Sequence, residues 1–212
     1  MCSSDLERRA RLGLTQRELA ERAGLSARFW VQLEAGQGNV SIQRLADVAT
    51  ALRTIGRIAG TSDIADASAT AFDARVRQLR ADHAGAPSIS VFIEIDDEPL
   101  YTVNGRHVIS EIVELCGGRN VFAELPQLAP PVSLEAVLAR DPQVILSTDD
   151  TITDPLALWR RWTRTAAVRD GTIYSMSSDT LTRATPRLAD GAREVCAALD
   201  DARGKTAGPA GR

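Results

Sequence analysis

The spacing of apolar positions changes along the chain, and each change predicts a different kind of structure. From Leu14 to Glu34 it predicts two short helices joined by a tight turn. Thr15 caps the first with Glu18 three residues on, Leu19, Ala20 and Ala23 share one face, and Gly24 ends it. Leu25 then enters the core and Ser26 caps the second helix. Trp30, Val31 and Leu33 give that helix apolar surface before Gly36. Arg8 to Leu12 and Ser41 to Leu52 complete a small bundle, the latter with Ile42, Leu45, Val48, Ala49 and Leu52 at three- and four-residue spacing. Arg53 to Gly60, RTIGRIAG, reads as a basic, glycine-punctuated connector. Ser62 to His83, without Gly or Pro, predicts a long helix with Ile64, Ala67, Ala71, Phe72, Val76 and Leu79 on its apolar face, stopped by AGAP at Ala84 to Pro87.

Beyond Pro87 the pattern becomes one of alternating strands and helices. SISVFIEI, Ser88 to Ile95, is β-branched and mostly apolar, which suits a buried strand. A helix over Arg106 to Cys116, a turn at Gly117 and Gly118, and a strand at Gln143 to Ser147 follow. A helix near Leu156 to Ala166, a strand at Gly171 to Met176 and a helix at Pro186 to Leu199 complete the series. Such alternation predicts a parallel sheet covered on both faces. The whole is therefore α/β: a small all-α domain over residues 1–53, then residues 54–203 as a long linker helix and a three-layer α/β lobe with a mainly parallel sheet, then a flexible tail at residues 204–212.

The turn motif resembles the Cro and phage-repressor (XRE) type of helix-turn-helix domain. The likeness rests on the TQ pair Thr15 and Gln16, LAERAGLS across the turn, and QLEAG from Gln32 to Gly36. It implies a sequence-specific transcriptional regulator whose second motif helix enters the major groove of double-stranded DNA. Ser26 would begin that helix, with Ala27, Arg28 and Gln32 toward base edges; Arg28 suits guanine, Gln32 adenine and Ala27 a thymine methyl. Gln16 would sit on a phosphate, and Asn39 and Arg44 would add backbone contacts. Phe29 and Trp30, adjacent on one helix, cannot both face the core, so a packing module that binds another protein stays open as an alternative. CSSDL after Met1 resembles a translated sequencing adapter, which sets residues 1–6 apart from the domain.

The α/β part resembles the C-terminal lobe of substrate-binding proteins of the iron-siderophore, haem and cobalamin class, most of all cobalamin-binding members. The phrases that carry this are GRHVISEIVELCGGRNVFAELP, VSLEAVLARDPQVIL and AAVRDGTIYSMSSDTLTRATPRLADGAREV. The resemblance implies that Ser62 to His83 is the helix joining two lobes. It also implies a tetrapyrrole or siderophore as ligand, no further cofactor, and an aromatic and an acidic residue in the third loop, where Thr180 and Thr182 stand. One lobe alone presents an open surface, so ligand burial would come from a second copy facing it in a homodimer. Ligands of parallel sheets sit off the carboxyl ends of the strands. The candidate contacts are therefore Asp96, Pro99, Leu100 and Tyr101 after the first strand, Asp149 and Asp150 after the second, and Ser178, Asp179 and Leu181 after the third. Tyr101 is the candidate for stacking on a planar ring. Glu94, Asp96, Asp97 and Glu98 read as a solvated acidic loop ahead of a cation site.

Composition narrows the class. The 212 residues are 44% hydrophobic and hold no apolar stretch long enough to span a bilayer. Net charge is −3, with residues 1–60 basic and the remainder acidic, which places positive charge where a phosphate partner would need it. The N-terminus lacks a signal-peptide pattern, and with the DNA-binding reading this predicts a cytoplasmic protein. Cys2, Cys116 and Cys196 are too widely spaced for zinc and read as ordinary buried thiols. His83 and His107 bound helices with no nucleophile beside them at a recognisable spacing, so a cap and a surface residue are expected, and no enzyme. The main reading is a transcriptional regulator with a ligand-binding-like lobe. The alternative is a truncated solute-binding component of an ABC-type cobalamin or iron-siderophore importer with an accidental N-terminal fusion.

Overall fold

The computed structural model describes residues 15, 17–18, 45–148, 154, 157–182 and 185–206. The chain divides into two compact units, Met1–Asp73 and Ala74–Arg212, and the boundary falls inside one long helix rather than at residue 53.

In the first unit the capping box forms. Glu18 accepts from the Thr15 backbone N–H at 2.8 Å, and Thr15 Oγ1 accepts from the Glu18 N–H at 3.2 Å. α1 spans Leu45–Ala59, so Arg53 to Ala59 is helix and not a connector. The glycine in that stretch serves contact: a Cβ on Gly56 would lie 2.1 Å from that of Ala65. Gly60, at φ +70, ends the helix in a Schellman arrangement, Thr61 N–H to the Gly56 carbonyl at 2.8 Å and Gly60 N–H to Arg57 at 3.4 Å. α2, Ser62–Asp82, matches the expected long helix, yet its apolar face is narrower than expected. Ala69 and Phe72 are buried, while Ile64 is 70% exposed and Ala67 and Ala71 are exposed. The small side chains add little area, so burial is decided by Phe72.

The second unit is an α/β lobe. Its strands β1 (Ile89–Glu94), β4 (Gly118–Asn120), β5 (Val144–Ser147) and β6 (Ile173–Ser175) form one sheet in the order β4-β1-β5-β6, parallel throughout. Between β1 and β4 lie the antiparallel hairpin β2 (Asp96–Asp97) and β3 (Leu100–Tyr101), then α3 (Val108–Leu115). α4 (Leu134–Arg140) precedes β5, α5 (Ala166–Arg169) precedes β6, and α6 (Ser178–Leu181) and α7 (Leu188–Thr206) close the chain. The hairpin, β4 and α4 are absent from the sequence pattern. No helix forms over residues 157–165, within the one expected near Leu156 to Ala166: turns occupy residues 157–161, and α5 begins only at Ala166. Helix α7 runs to Thr206, into the stretch expected to be a flexible tail.

One face of the sheet carries Phe92 and Ile145 into a cluster with Phe122, Val137 and Trp159. Phe92 meets both Phe122 and Trp159 edge-on, ring centroids 5.7 Å apart. Cys116, the C-cap of α3, and Cys196 on α7 are not free thiols. They form a disulfide that joins positions 80 apart, with Cα atoms 4.9 Å apart. A separation of that length leaves no local spacing to read.

Candidate functional site

The parallel sheet sends the carboxyl ends of β1, β5 and β6 to one edge, where two backbone bonds align them. Thr148 N–H donates to the Glu94 carbonyl at 2.9 Å, and Met176 N–H donates to Ser147 at 2.8 Å. The hairpin begins two residues after Glu94. Asp96 stands opposite Tyr101 in its register, and Ile95 N–H donates to the Tyr101 carbonyl at 3.1 Å. Tyr101 is half-buried, Asp96 and Pro99 are exposed, and Asp179 on α6 is partly buried. These residues and Ser178 form the edge that the sequence reading assigns to a ligand.

Two candidates are not surface groups. Leu100 belongs to the core cluster, and Leu181 is 0% exposed, wedged where a Cβ on Gly191 would meet its side chain at 2.9 Å. Both support the face from beneath. Asp149 and Asp150, like Gln16, Ser26, Ala27, Arg28, Gln32, Asn39 and Arg44, lie outside the described residues. Thr180 and Thr182 turn their hydroxyls onto the carbonyls of Ser177 and Ser178, at 3.0 and 2.7 Å.

The acidic loop divides. Asp96 and Glu98 are exposed, whereas Glu94 is 1% exposed and accepts from the Trp159 indole N–H at 2.7 Å. Sequence reasoning placed Glu94 in a solvated loop and missed Trp159. The available signal was the one charged residue of β1, closing it directly after the apolar run Val91 to Ile93. Ser147, beside Glu94 in the β1–β5 register, has a buried hydroxyl without a hydrogen-bond partner among the described residues.

Both histidines have structural partners. His107 caps α3, its Nδ1 accepting from Ile109 N–H at 3.2 Å, and burial lowers its pKa. His83 reaches Asp200 through Nε2 at 3.1 Å and the Leu79 carbonyl through Nδ1 at 2.7 Å. A cavity of about 410 Å³ lined by Leu138, Asp141, Trp162 and Thr165 lies by the residues that lead into β5 and into α5, away from the carboxyl-end face.

A parallel sheet flanked by helices, as seen here, is shared with solute-binding lobes. The family model for periplasmic binding proteins matches residues 15–180, and the chain belongs to that family. The vitamin B12-binding protein of Vibrio cholerae serotype O1 is 31% identical over 156 residues, which cover 73% of this chain and 56% of that protein. That of Pectobacterium carotovorum is 31% identical over 193 residues, 89% of this chain and 65% of the relative. The chain thus spans little more than half the length of the first of these relatives. Among solved structures, the periplasmic vitamin B12 binding protein BtuF of Vibrio cholerae superposes with a TM-score of 0.73 at 29% identity, covering 85% of this chain and 72% of that one. The haem-binding protein RhuT of Roseiflexus, at 18% identity and a TM-score of 0.68, shares the fold.

These likenesses correct three expectations. The family match begins at residue 15 and takes in the segment read as a DNA-binding motif, so the transcriptional regulator gives way to the solute-binding alternative. DNA as partner, and the DNA-contact roles given to Gln16 through Arg44, fall with it. The cytoplasmic location is overturned as well, because the family is one of periplasmic proteins. No helix among the described residues is long and apolar enough to cross a membrane.

Proposed function

We propose that the chain is a non-enzymatic solute-binding component of an ABC-type importer, placed in the periplasm, and that its lobe takes a corrinoid on the carboxyl-end face. The observation that carries this reading is that Asp96 and Tyr101, paired in the hairpin after β1, and Asp179, after β6, all follow carboxyl ends of one parallel sheet in a chain 31% identical to vitamin B12-binding proteins. The half-buried ring of Tyr101 offers a flat apolar surface at small entropic cost, suited to a macrocycle. The carboxylate of Asp96, opposite Tyr101 in the hairpin register, can accept hydrogen bonds from the amide groups at a corrinoid's rim, which haem lacks. The Cys116–Cys196 bond supports an oxidising compartment. His107 caps α3 and His83 contacts Asp200, so both histidines have structural partners.

Equilibrium titration with cyanocobalamin, haem and a ferric hydroxamate tests the reading. Saturable binding of cyanocobalamin ahead of the other two, weakened by Tyr101→Ala, is expected. Preference for haem or the hydroxamate would transfer the face to another ligand class.

A further inference from the structure

Glu94 joins more of the carboxyl-end face than any candidate contact does. It is the last residue of β1, and its carbonyl accepts both the Thr148 N–H at 2.9 Å and the Thr148 hydroxyl at 3.2 Å, fixing the end of β5 against the end of β1. Its side chain accepts the Trp159 indole N–H at 2.7 Å. Trp159 is 0% exposed and stacks edge-on on Phe92, two residues earlier on the same strand face, so it is no surface for a ligand. The hairpin that carries Asp96 and Tyr101 leaves β1 immediately after this knot. One buried residue therefore ties two strand ends and the turns around Trp159 beneath the face.

A structural need alone accounts poorly for an acid here. Burying a carboxylate is costly unless its hydrogen bonds are made, and an apolar side chain would extend the Phe92 stack without that cost. The acid instead accepts a short bond, 2.7 Å from the indole nitrogen, that aims a large ring in one direction. We propose that Glu94 is the positioning residue of the binding face: by orienting Trp159 and anchoring the β1 exit it holds the hairpin, and so Tyr101, in ligand-ready geometry. This rests on the reading of that edge as the corrinoid site.

The test uses the whole chain with Glu94→Gln, Glu94→Leu and Trp159→Phe. The first keeps an acceptor and the second removes it. The third removes the donor while keeping the ring stack, which guards against a variant that fails to fold. Backbone hydrogen exchange is followed at residues 96–101 and 157–163 without ligand, and cyanocobalamin affinity is measured alongside. An unmade buried bond of this kind should cost roughly tenfold in exchange protection of both segments and roughly tenfold in affinity. Both losses are expected in Glu94→Leu and in Trp159→Phe, and Glu94→Gln returns both toward wild type. Unchanged protection at residues 96–101 in Glu94→Leu, or equal losses in Glu94→Gln and Glu94→Leu, would overturn the proposal. If the wild-type chain takes up no cyanocobalamin, the corrinoid reading fails, and exchange at residues 96–101 alone decides the role of Glu94.

Discussion

The two ends of the central sheet are held in different ways. At the amino end, side chains and a covalent bond stitch distant segments together. Cys116 is bonded to Cys196, and Arg203 donates to the Pro87 carbonyl at 2.8 Å and the Cys116 carbonyl at 2.6 Å. The Gln143 side chain accepts from the Ser90 N–H at 3.0 Å, and Lys205 donates to Gly171 at 3.0 Å. At the carboxyl end, backbone bonds align the strands and one buried acid ties them to Trp159, while Asp96, Pro99 and Tyr101 stay at the surface. A face meant to meet a ligand has to leave its contact groups open, so its rigidity must come from beneath and from the far end.

The contrast predicts that damage to the amino end costs stability and spares binding. The largest effect is expected for Cys116→Ala with Cys196→Ala. Opening a loop closed over 80 positions should lower stability by about 2–5 kcal/mol in urea unfolding, with cyanocobalamin affinity of the folded fraction unchanged. A matching loss of affinity would show that the two ends are coupled.

Tyr101→Ala should do the opposite. Loss of a stacking ring weakens cyanocobalamin by about 1–2 kcal/mol in calorimetric titration, while the urea midpoint barely moves.

A smaller effect falls on α3. His107→Ala removes the cap and should cost about 1 kcal/mol, whereas His107→Asn keeps an acceptor and most of the stability. Burial holds the folded pKa of His107 below 6.5, so the unfolded chain binds the proton more readily. The stability from the neutral cap is therefore complete above about pH 6.5 and is lost as pH falls below it toward the folded value. Urea midpoints of wild type and His107→Asn, compared between pH 8 and pH 5, should converge on acidification; parallel curves would remove His107 from the pH response.

The smallest effect is expected for Asp201→Asn. The Lys205 ammonium first, and the Tyr174 hydroxyl second, hold the Asp201 carboxyl below the usual carboxylate range. Burial and the same contact push the Tyr174 phenol up. A depressed folded pKa gives stability that is present above the unfolded value and lost as pH falls through the folded one. The substitution should slightly flatten the acid limb of the stability curve, since an exposed pair is screened.

Strand β1 was legible because SISVFIEI is mostly apolar and rich in β-branched residues, and α2 because nothing in Ser62 to Asp82 breaks a helix. Strand β4, Gly-Arg-Asn, carries no apolar side chain; Gly118 is drawn into the sheet where Val113 and Leu199 close over it, which is tertiary context rather than local preference. Helix α4 is only seven residues long, too short for a period to show, although Ser133 caps it through the Ala136 N–H at 3.2 Å. The helix expected near Leu156 gives way where Trp159 turns inward to Phe92 and Glu94. The rule for parallel sheets looks to the segments after the strands, and Asp96 and Tyr101 do follow β1 and Asp179 does follow β6. Leu181 was misplaced because a four-residue helix has an inner side that sequence position alone does not reveal.

The most direct test is cyanocobalamin titration of wild type beside Tyr101→Ala, with haem as competitor. Saturable binding that haem does not displace and that Tyr101→Ala weakens about tenfold is the predicted result. No binding, or binding indifferent to Tyr101, would contradict a corrinoid site on this face.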